Sequence, residues 1–294
     1  MGSPMSDSKL VVVAGATGYL GGHVVEALHR QGFRVRALAR RREKLREVES
    51  FCDEVFVGEA TELQTLDGLF HGAFAGFSSI GIRHFRRRPT FREVDLAANL
   101  NLVEQAELAG TARFVFVSVL RGDQLRGVSP LIDAREQVVD RLHTSPMDSC
   151  ILRPTGFFND MSEYLTMSRR GTAWIIGSDA TRLNPIHGAD LGELTASVLQ
   201  AEPMPAERNV GGPDILSQAE IVRLCAQALQ REVRTRRVPG WVLRGVGAVL
   251  APLNPNASAL AKMFALLAAG DAVGEPIGKH HLRDHFAALV EANR

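Results

Sequence analysis

The spacing in this chain that most directly indicates a binding site is that of three glycines at intervals of three residues: Gly15, Gly18 and Gly21. They follow the apolar run 11–13 and open an apolar-periodic segment, the order strand, tight turn, helix. Such glycines allow a sharp turn, a close approach of backbone to pyrophosphate, and tight packing of helix on strand. The free N–H groups at the start of that helix attract phosphate, so the motif predicts a dinucleotide site, the alternative being a glycine-rich turn without ligand. The predicted phosphate-binding residues are Gly15, Thr17, Gly18, Tyr19, Leu20 and Gly21.

The end of the predicted second strand, 33–39, is strongly basic. Arg40, Arg41 and Arg42 follow it, and positions 38–42 contain no acid. An acid at this place binds the ribose 2′-hydroxyl of NAD, whereas an arginine accommodates the 2′-phosphate of NADP. We therefore expect NADP(H) as the preferred cofactor and NAD(H) as the alternative, with Arg40 as the main contact and Arg41 and Lys44 as helpers. The competing interpretation is a solvated basic start of a helix.

Small or polar residues follow the next two predicted strands. Glu59 and Ala60 come after strand 54–57, where folds of this kind contact the adenine amino group. Strand 73–77 is followed by small residues that allow a cofactor to pass close to the backbone. These residues are Ser78, Ser79 and Gly81.

Strands alternate with helices over the first 150 residues, with helices predicted at 64–70 and 91–109 and later strands at 113–118 and 149–152. Beyond them a further short strand is predicted at 208–211. This alternation predicts an α/β fold, a Rossmann-like doubly wound parallel sheet with a smaller, mainly helical C-terminal substrate lobe. We expect the nucleotide-binding domain at 9–155 and the substrate lobe at 156–294, with segments around 184–200 returning to the first domain. Residues 1–8 have the character of a disordered tag remnant.

The composition excludes several classes of function. The chain has 294 residues, 45% of them hydrophobic, and a formal net charge of +1, which gives no reason to expect a nucleic-acid partner. Cys52, Cys150 and Cys225 form no C-x-x-C motif, so we expect reduced packing residues of a cytoplasmic protein and no metal site. No stretch approaches the ~18 apolar residues of a membrane span. We expect a monomer or a homodimer.

Five segments carry a resemblance to a known family: 15–22, 35–40, 114–118, 152–158 and 185–190. They resemble the atypical, extended short-chain dehydrogenase/reductase superfamily, in its NmrA-like branch of NAD(P)-binding proteins. The resemblance implies a Rossmann-like fold and further cofactor contacts after the sixth strand. These contacts would come from Pro154, Thr155, Gly156 and Phe157.

The family's chemistry uses a serine after the fifth strand and a Tyr-x-x-x-Lys motif on the next helix. The tyrosine gives or takes a proton, the lysine lowers its pKa and holds the ribose, and the serine polarises the carbonyl. Ser118 matches the serine, but helix 131–142 contains neither tyrosine nor lysine. The lysine position falls on Arg135 or Glu136, and the tyrosine position on Leu131 or Ile132. The usual proton relay is therefore absent.

Two functions are compatible with these residues. The first is an NAD(P)H-dependent oxidoreductase that reduces a hydrophobic or aromatic carbonyl or quinone-like molecule, with Ser118, Arg135 and Glu136 as catalytic candidates. The second is a non-catalytic NADP(H)-binding redox sensor or assembly protein. An isomerase or epimerase depends more heavily on the missing tyrosine. The predicted substrate contacts are Phe157, Phe158, Met161, Tyr164 and His187.

Two strongly apolar segments, 241–253 and 259–267, favour the enzyme. Apolar walls with a few polar groups suit a hydrophobic or aromatic small molecule. The alternatives are an ordinary core, a partner-binding patch, or a membrane-surface patch.

Overall fold

One central sheet of eight parallel strands organises the protein. It is seen in a computed structural model that describes residues 8–82, 86–267 and 269–293, so residues 1–7 of the expected terminal remnant lie outside the described chain. From one edge to the other the strands are β3 (Glu54–Val57), β2 (Arg34–Ala39), β1 (Leu10–Ala14), β4 (Ala75–Ser78), β5 (Arg113–Val117), β6 (Asp148–Pro154), β9 (Glu207–Gly211) and β12 (Glu275–Pro276).

The strand order reverses direction between β1 and β4. The chain first winds outward through β2 and β3, then returns to β4 and winds the other way. In open sheets of this kind, ligands bind outside the carboxyl ends of the strands at that reversal. The predicted Rossmann-like fold is confirmed, and the reversal marks the place to look for the site.

Helices cover both faces of the sheet. Side chains of alternate strand residues, such as Val11 and Val13, pack with α1 (Tyr19–Arg30) and α5 (Gly188–Gln200). Residues of the opposite parity, such as Val12, pack with α2 (Asn99–Leu108) and α3 (Pro130–His143). Both faces are therefore apolar, which explains why the strands are continuous hydrophobic runs.

The C-terminal half supplies a smaller lobe, while β9 and β12 join the main sheet. Within the lobe, α4 (Phe158–Arg169), α6 (Gln218–Leu229) and α9 (Leu282–Glu291) share a core. Two short strand pairs flank it: β7 (Thr172–Ile176) with β11 (Arg234–Val238), and β8 (Arg182–Leu183) with β10 (Leu216–Ser217). A helical hairpin, α7 (Gly240–Leu250) and α8 (Pro255–Leu267), packs through α8 against α3.

Two predicted helices differ from expectation. The helix predicted at 64–70 is only a 3₁₀ turn, Leu63–Leu66, in which the Thr65 hydroxyl donates to the carbonyls of Glu59 and Glu62. A side chain that bonds to local backbone in this way competes with a regular helix. The helix predicted at 91–109 begins as a π-helical stretch, Arg92–Ala98, before α2. Among the described residues, none of these helices has the length and hydropathy needed to cross a bilayer.

Candidate active site

The glycine-rich turn has the geometry that its spacing predicts. Gly15 ends β1 with a positive φ of 91°, a conformation that favours glycine. A Cβ on Gly21 would lie 2.0 Å from the Gly15 carbonyl oxygen, so glycine there lets α1 approach the turn. Gly18 precedes α1 without a side-chain cap, and the first turn of α1 contains no acid. Thr17 and Gly18 are exposed, whereas Leu20 is buried beneath the turn. The start of α1 is thus open to an anion.

The basic end of β2 faces the end of β3. The Arg40 guanidinium lies 3.7 Å from the Glu59 carboxylate, and its side chain is 79% exposed. Arg41 and Lys44 line an open hollow with Glu43 and Arg46. Ala60 is buried, and its carbonyl accepts a hydrogen bond from Asn101. Among the described residues, Arg40 is therefore held only by an exposed ion pair, which costs little to exchange for a phosphate contact.

The end of β4 is held by a buried asparagine. The Ser78 hydroxyl donates to the Asn99 side-chain oxygen at 2.6 Å, and the Asn99 amide donates to the Ile80 carbonyl at 3.3 Å. Ser79 lies beside the turn, because a Cβ on Gly15 would be 2.8 Å from its hydroxyl oxygen. The carboxyl ends of β1 and β4 thus meet at small residues, at the point where the strand order reverses.

Arg135 reaches this same edge from α3. Its guanidinium donates to the Val117 carbonyl at 2.5 Å and to the Ile80 carbonyl at 3.3 Å, and so joins the ends of β5 and β4. It lies 2.8 Å from the buried Asp95 carboxylate, whose pKa is raised by burial while the arginine acts in the opposite direction. A Cβ on Gly81 would lie 1.9 Å from the guanidinium. Arg135 is 12% exposed, so a cation stands at the rim of the cleft.

Glu136 points away from this edge into a buried network. The Ser118 hydroxyl donates to Glu136 Oε1 at 2.8 Å, and Arg153 donates to both Glu136 oxygens at 2.6 and 3.0 Å. Glu207 lies 2.8 Å from Arg153 Nε. Ser118, Glu136 and Arg153 are all buried. The structure therefore separates the two candidates for the lysine position: Arg135 faces the strand ends, and Glu136 pairs with Arg153.

An apolar wall stands where the family's tyrosine would be. Leu131, one turn before Arg135 on α3, is buried against Ile82 from the segment after β4. The hairpin helix α8 completes this wall with Ala259, Leu260 and Met263. The hydroxyl of Ser129, which is buried beside this wall, donates to the Ala259 carbonyl at 3.3 Å. Three residues of the segment 259–267 thus lie in this wall, as the pocket-wall interpretation requires.

The loop after β6 is fixed by backbone pairing. The Thr155 hydroxyl donates to the Asn184 carbonyl at 2.6 Å, and Ile186 N–H donates to the Gly156 carbonyl at 2.8 Å. Pro154 is buried in the strand. Phe157 is half-buried and stacks edge-on to Tyr19, with 6.1 Å between ring centroids. Phe157 therefore contacts the glycine-rich turn directly.

Three of the predicted substrate residues pack inside the second lobe. Phe158 is 1% exposed, and Met161 packs against the same core. The Tyr164 hydroxyl donates to Gln218 at 2.9 Å, and burial raises the pKa of Tyr164 to about 12. A phenol with so high a pKa is a poor proton donor near neutral pH.

His187 belongs to a cluster of four histidines behind the turn. Its Nδ1 accepts from Ala189 N–H at 3.1 Å and caps α5, and its ring stacks on His280 at 4.3 Å. His23 and His285 lie 5.1 and 6.1 Å from it between ring centroids. Burial lowers the pKa of His187 to about 4, so the ring is neutral at pH 7. No group of side chains among the described residues has the arrangement of a metal site.

Three residues that shape the site have no role predicted from the sequence: Asp95, Asn99 and Arg153. Asp95 and Asn99 stand four positions apart, and both are buried. The sequence signal that could have identified them is this pair of polar residues at helical spacing on a buried face. Arg153 stood in a motif of the resemblance, but its bidentate pairing with Glu136 requires knowing that α3 lies over β6.

The described residues fit a dinucleotide. The turn leaves an uncapped helix start, glycines stand where side chains would obstruct it, and a cation lies near each end of the cleft, Arg40 at β2 and Arg135 at β5. These features suit phosphates and a ribose held by backbone amides.

Comparisons with known proteins agree with this geometry. Residues 7–284 match the model of the NmrA-like family. The chain is 26% identical over 233 residues to the photosystem II assembly factor Ycf39 of Guillardia theta, covering 78% of this chain and 73% of that protein. It is 26% identical over 304 residues to the divinyl chlorophyllide a 8-vinyl-reductase of Zea mays, covering 97% and 73%. The fold superposes on the NADPH-dependent quinone oxidoreductase QOR2 of Escherichia coli, complexed with NADPH, with a TM-score of 0.70, 16% identity, and coverage of 95% and 99%.

Proposed function

This chain belongs to the NmrA-like family, and we propose that it is an NADP(H)-dependent reductase of a hydrophobic, aromatic or quinone-like acceptor. The observation that carries the proposal is the pairing of a cation, Arg135, with an apolar wall at the carboxyl ends of β4 and β5. A site that orients an apolar acceptor and supplies one positive charge suits hydride transfer without a side-chain acid.

Nucleotide binding rests on the turn and on the basic end of β2. Backbone amides at the start of α1 bind the pyrophosphate, and Gly21 keeps them in place by letting α1 pack closely. Arg40 leaves its exposed pair with Glu59 to bind the 2′-phosphate of NADP(H). A bound reduced nicotinamide supplies the hydride, which is the cofactor's own chemistry.

Arg135 is the residue we assign to the reacting end of the nucleotide. Its guanidinium already bonds to the carbonyls of Ile80 and Val117, so its position is fixed before a ligand arrives. In that position it would hold the nicotinamide ribose and would stabilise negative charge that develops on the acceptor. Asp95 holds it there through the 2.8 Å ion pair.

The proton that balances the reduction comes from water. Leu131 occupies the place of the family's tyrosine, and Tyr164 is bonded to Gln218 in the second lobe. Acceptors that need no strong acid, such as quinones and conjugated carbonyls, suit this arrangement. Ser118 and Glu136 act as positioning residues, because their buried network with Arg153 fixes α3 over β5 and β6.

One observation favours a second function, a non-catalytic NADP(H) sensor. Ser118 matches the serine that polarises a carbonyl in the family. Here it is 3% exposed, and its hydroxyl donates to Glu136 instead of facing the cleft. The same nucleotide site would then bias a conformational equilibrium without turnover.

Turnover distinguishes the two functions. NADPH oxidation is followed with a panel of lipophilic quinones and aromatic carbonyls, using wild type, Arg135→Ala and Arg135→Lys. We expect turnover in wild type and a loss of about 10- to 100-fold in kcat/KM for Arg135→Ala, the worth of a charged hydrogen bond, with partial rescue by lysine. Arg141→Ala is the matched control, because Arg141 lies on the same helix and pairs with Glu107. Tight NADPH binding without turnover on any acceptor would favour the sensor.

A further inference from the structure

Helix α7 exposes an apolar face that no described part of the chain covers. Trp241 is 67% exposed and Val249 is 70% exposed, and Val246 and Leu253 are also exposed. At 100° per residue Trp241, Val246 and Val249 fall within an arc of about 140° on α7, and Leu253 lies in the turn that follows the helix. A surface helix normally turns such an arc toward the core.

The opposite side of α7 is the one that packs. Gly247 is buried, and a Cβ there would lie 3.3 Å from the Ser258 carbonyl oxygen of α8. The Ser258 hydroxyl donates to the Gly247 carbonyl at 2.7 Å. The hairpin therefore holds its apolar arc away from the protein, where Phe264 of α8 is also exposed.

The chain segment that forms this surface is basic, and one of its arginines, Arg237, pairs with Asp179 from outside the segment. From Val233 to Gly270 the chain contains five basic residues and no acid. Arg244 is exposed and, with Lys262, flanks a hollow of about 230 Å³ that Ala265 and Leu266 line. The remaining three, Arg234, Arg236 and Arg237, lie on the exposed strand β11, which is joined to α7 through Pro239 alone.

The second tryptophan of the chain lies on the neighbouring strand. Trp174 of β7 pairs in register with Arg236, whose guanidinium carbon is 5.7 Å from the indole centroid. Trp174 is exposed. The chain has two tryptophans, and both lie on or beside this basic, apolar region. Tryptophan beside arginine is the combination that membrane–water interfaces favour.

We propose that α7, α8 and β11 form a membrane-binding surface that docks on anionic lipid, with the apolar arc of α7 in the interface and the basic residues on phosphate headgroups. Within the segment 233–270, exposed Trp, Val and Leu are combined with Lys and Arg and no acid, which is the composition of interfacial helices. A symmetric contact with a second copy would place this basic region against itself, and like charges oppose that. Charge complementarity therefore selects an anionic lipid surface.

The location also suits the proposed function. The other arm of the hairpin, α8, contributes Leu260 and Met263 to the apolar wall beside Arg135. A lipid-soluble acceptor would then reach the site from the surface on which the protein rests. This consequence depends on the proposed function, but the docking itself does not.

The test is flotation with phosphatidylcholine vesicles that contain or lack equimolar phosphatidylglycerol, without nucleotide or substrate. We expect binding to the anionic vesicles that weakens as salt is raised, and a blue shift of Trp241 emission in a Trp174→Phe background. Val249→Glu should abolish binding, and the pair Arg234→Gln with Arg236→Gln should weaken it about 25-fold, fivefold for each charge. Leu108→Glu is the matched control, because Leu108 is 75% exposed on α2, outside this surface.

Thermal melts establish that each variant is folded. Absence of binding to anionic vesicles by folded wild type would overturn the proposal, as would equal binding by Val249→Glu. Sedimentation that shows a dimer broken by Val249→Glu would assign the surface to a second copy and also overturn it. Because neither nucleotide nor substrate is present, these outcomes leave the reductase proposal standing.

Discussion

Replacing each of two adjacent glycines of α1, Gly21 and Gly22, by alanine should have opposite effects on the nucleotide-binding turn. A Cβ on Gly21 would lie 2.0 Å from the Gly15 carbonyl oxygen and 2.5 Å from its carbon, both backbone atoms. Carbon atoms in contact prefer ~3.5 Å, so Gly21→Ala moves α1 and the turn apart by about 1 Å or more. A Cβ on Gly22 would meet Val48 Cγ1 at 3.4 Å and the Ala16 carbonyl oxygen at 3.8 Å, both ordinary contacts. Gly22→Ala should therefore leave the turn intact and stabilise α1 by about 0.5–1 kcal/mol.

Calorimetric titration with NADPH measures the difference. We expect Gly22→Ala to bind as wild type does and Gly21→Ala to lose about 100-fold or more in affinity, because a displacement near 1 Å is enough to cost two orders of magnitude at a pre-organised site. Thermal melts separate loss of the site from loss of the fold. Equal NADPH affinities for two folded alanine variants would refute the account of the turn.

Two further predictions concern stability. Glu136→Ala should lower the free energy of unfolding by about 3–5 kcal/mol, because it leaves Arg153 buried without its bidentate partner. Chemical denaturation measures this change. The control is Asp140→Ala on the same helix, which removes an exposed ion pair with Arg126 and should cost at most about 1 kcal/mol. Burial, and after it the neighbouring histidines, lowers the pKa of His187 from 6.5 to about 4. Below pH 6.5 the unfolded chain therefore binds a proton that the native ring does not. The free energy of unfolding should fall as the pH drops from 6.5 to 4, by up to about 3 kcal/mol for this ring. His187→Asn keeps a capping side chain and should flatten that slope in melts across this pH range, while an unchanged slope would contradict the assignment.

Most of the sheet and the nucleotide-binding turn followed from local patterns. Apolar runs ending in small residues predicted β1 to β6, and a doubly wound sheet with right-handed crossovers accommodates the observed order. The glycine spacing predicted the turn because strand β1 and helix α1 can pack this closely only where the turn between them lacks side chains. Residues 208–211 were predicted as a strand, but the pairing of this strand with β6 depends on contacts distant in sequence.

For a related reason, the sequence could not decide which of two neighbouring residues on α3 faces the site. Arg135 and Glu136 are neighbours on α3, and a one-residue uncertainty exchanges their roles. The structure separates them because Asp95 and the carbonyls at the strand ends surround one, while Arg153 holds the other. Likewise, the sequence left the apolar segment 241–253 between a pocket wall and a surface patch, since hydropathy does not show which side of a helix is covered.

The central claim is that main-chain amides of the turn bind a nicotinamide dinucleotide and that Arg40 selects its phosphorylated form. Titration of NADPH and NADH in one buffer tests this most directly, with Arg40→Ala and, as matched control from the opposite end of β2, Arg34→Ala. We predict a preference for NADPH of about 10- to 100-fold that Arg40→Ala removes and Arg34→Ala keeps. Equal affinities in wild type, or no binding of either nucleotide, would contradict the account.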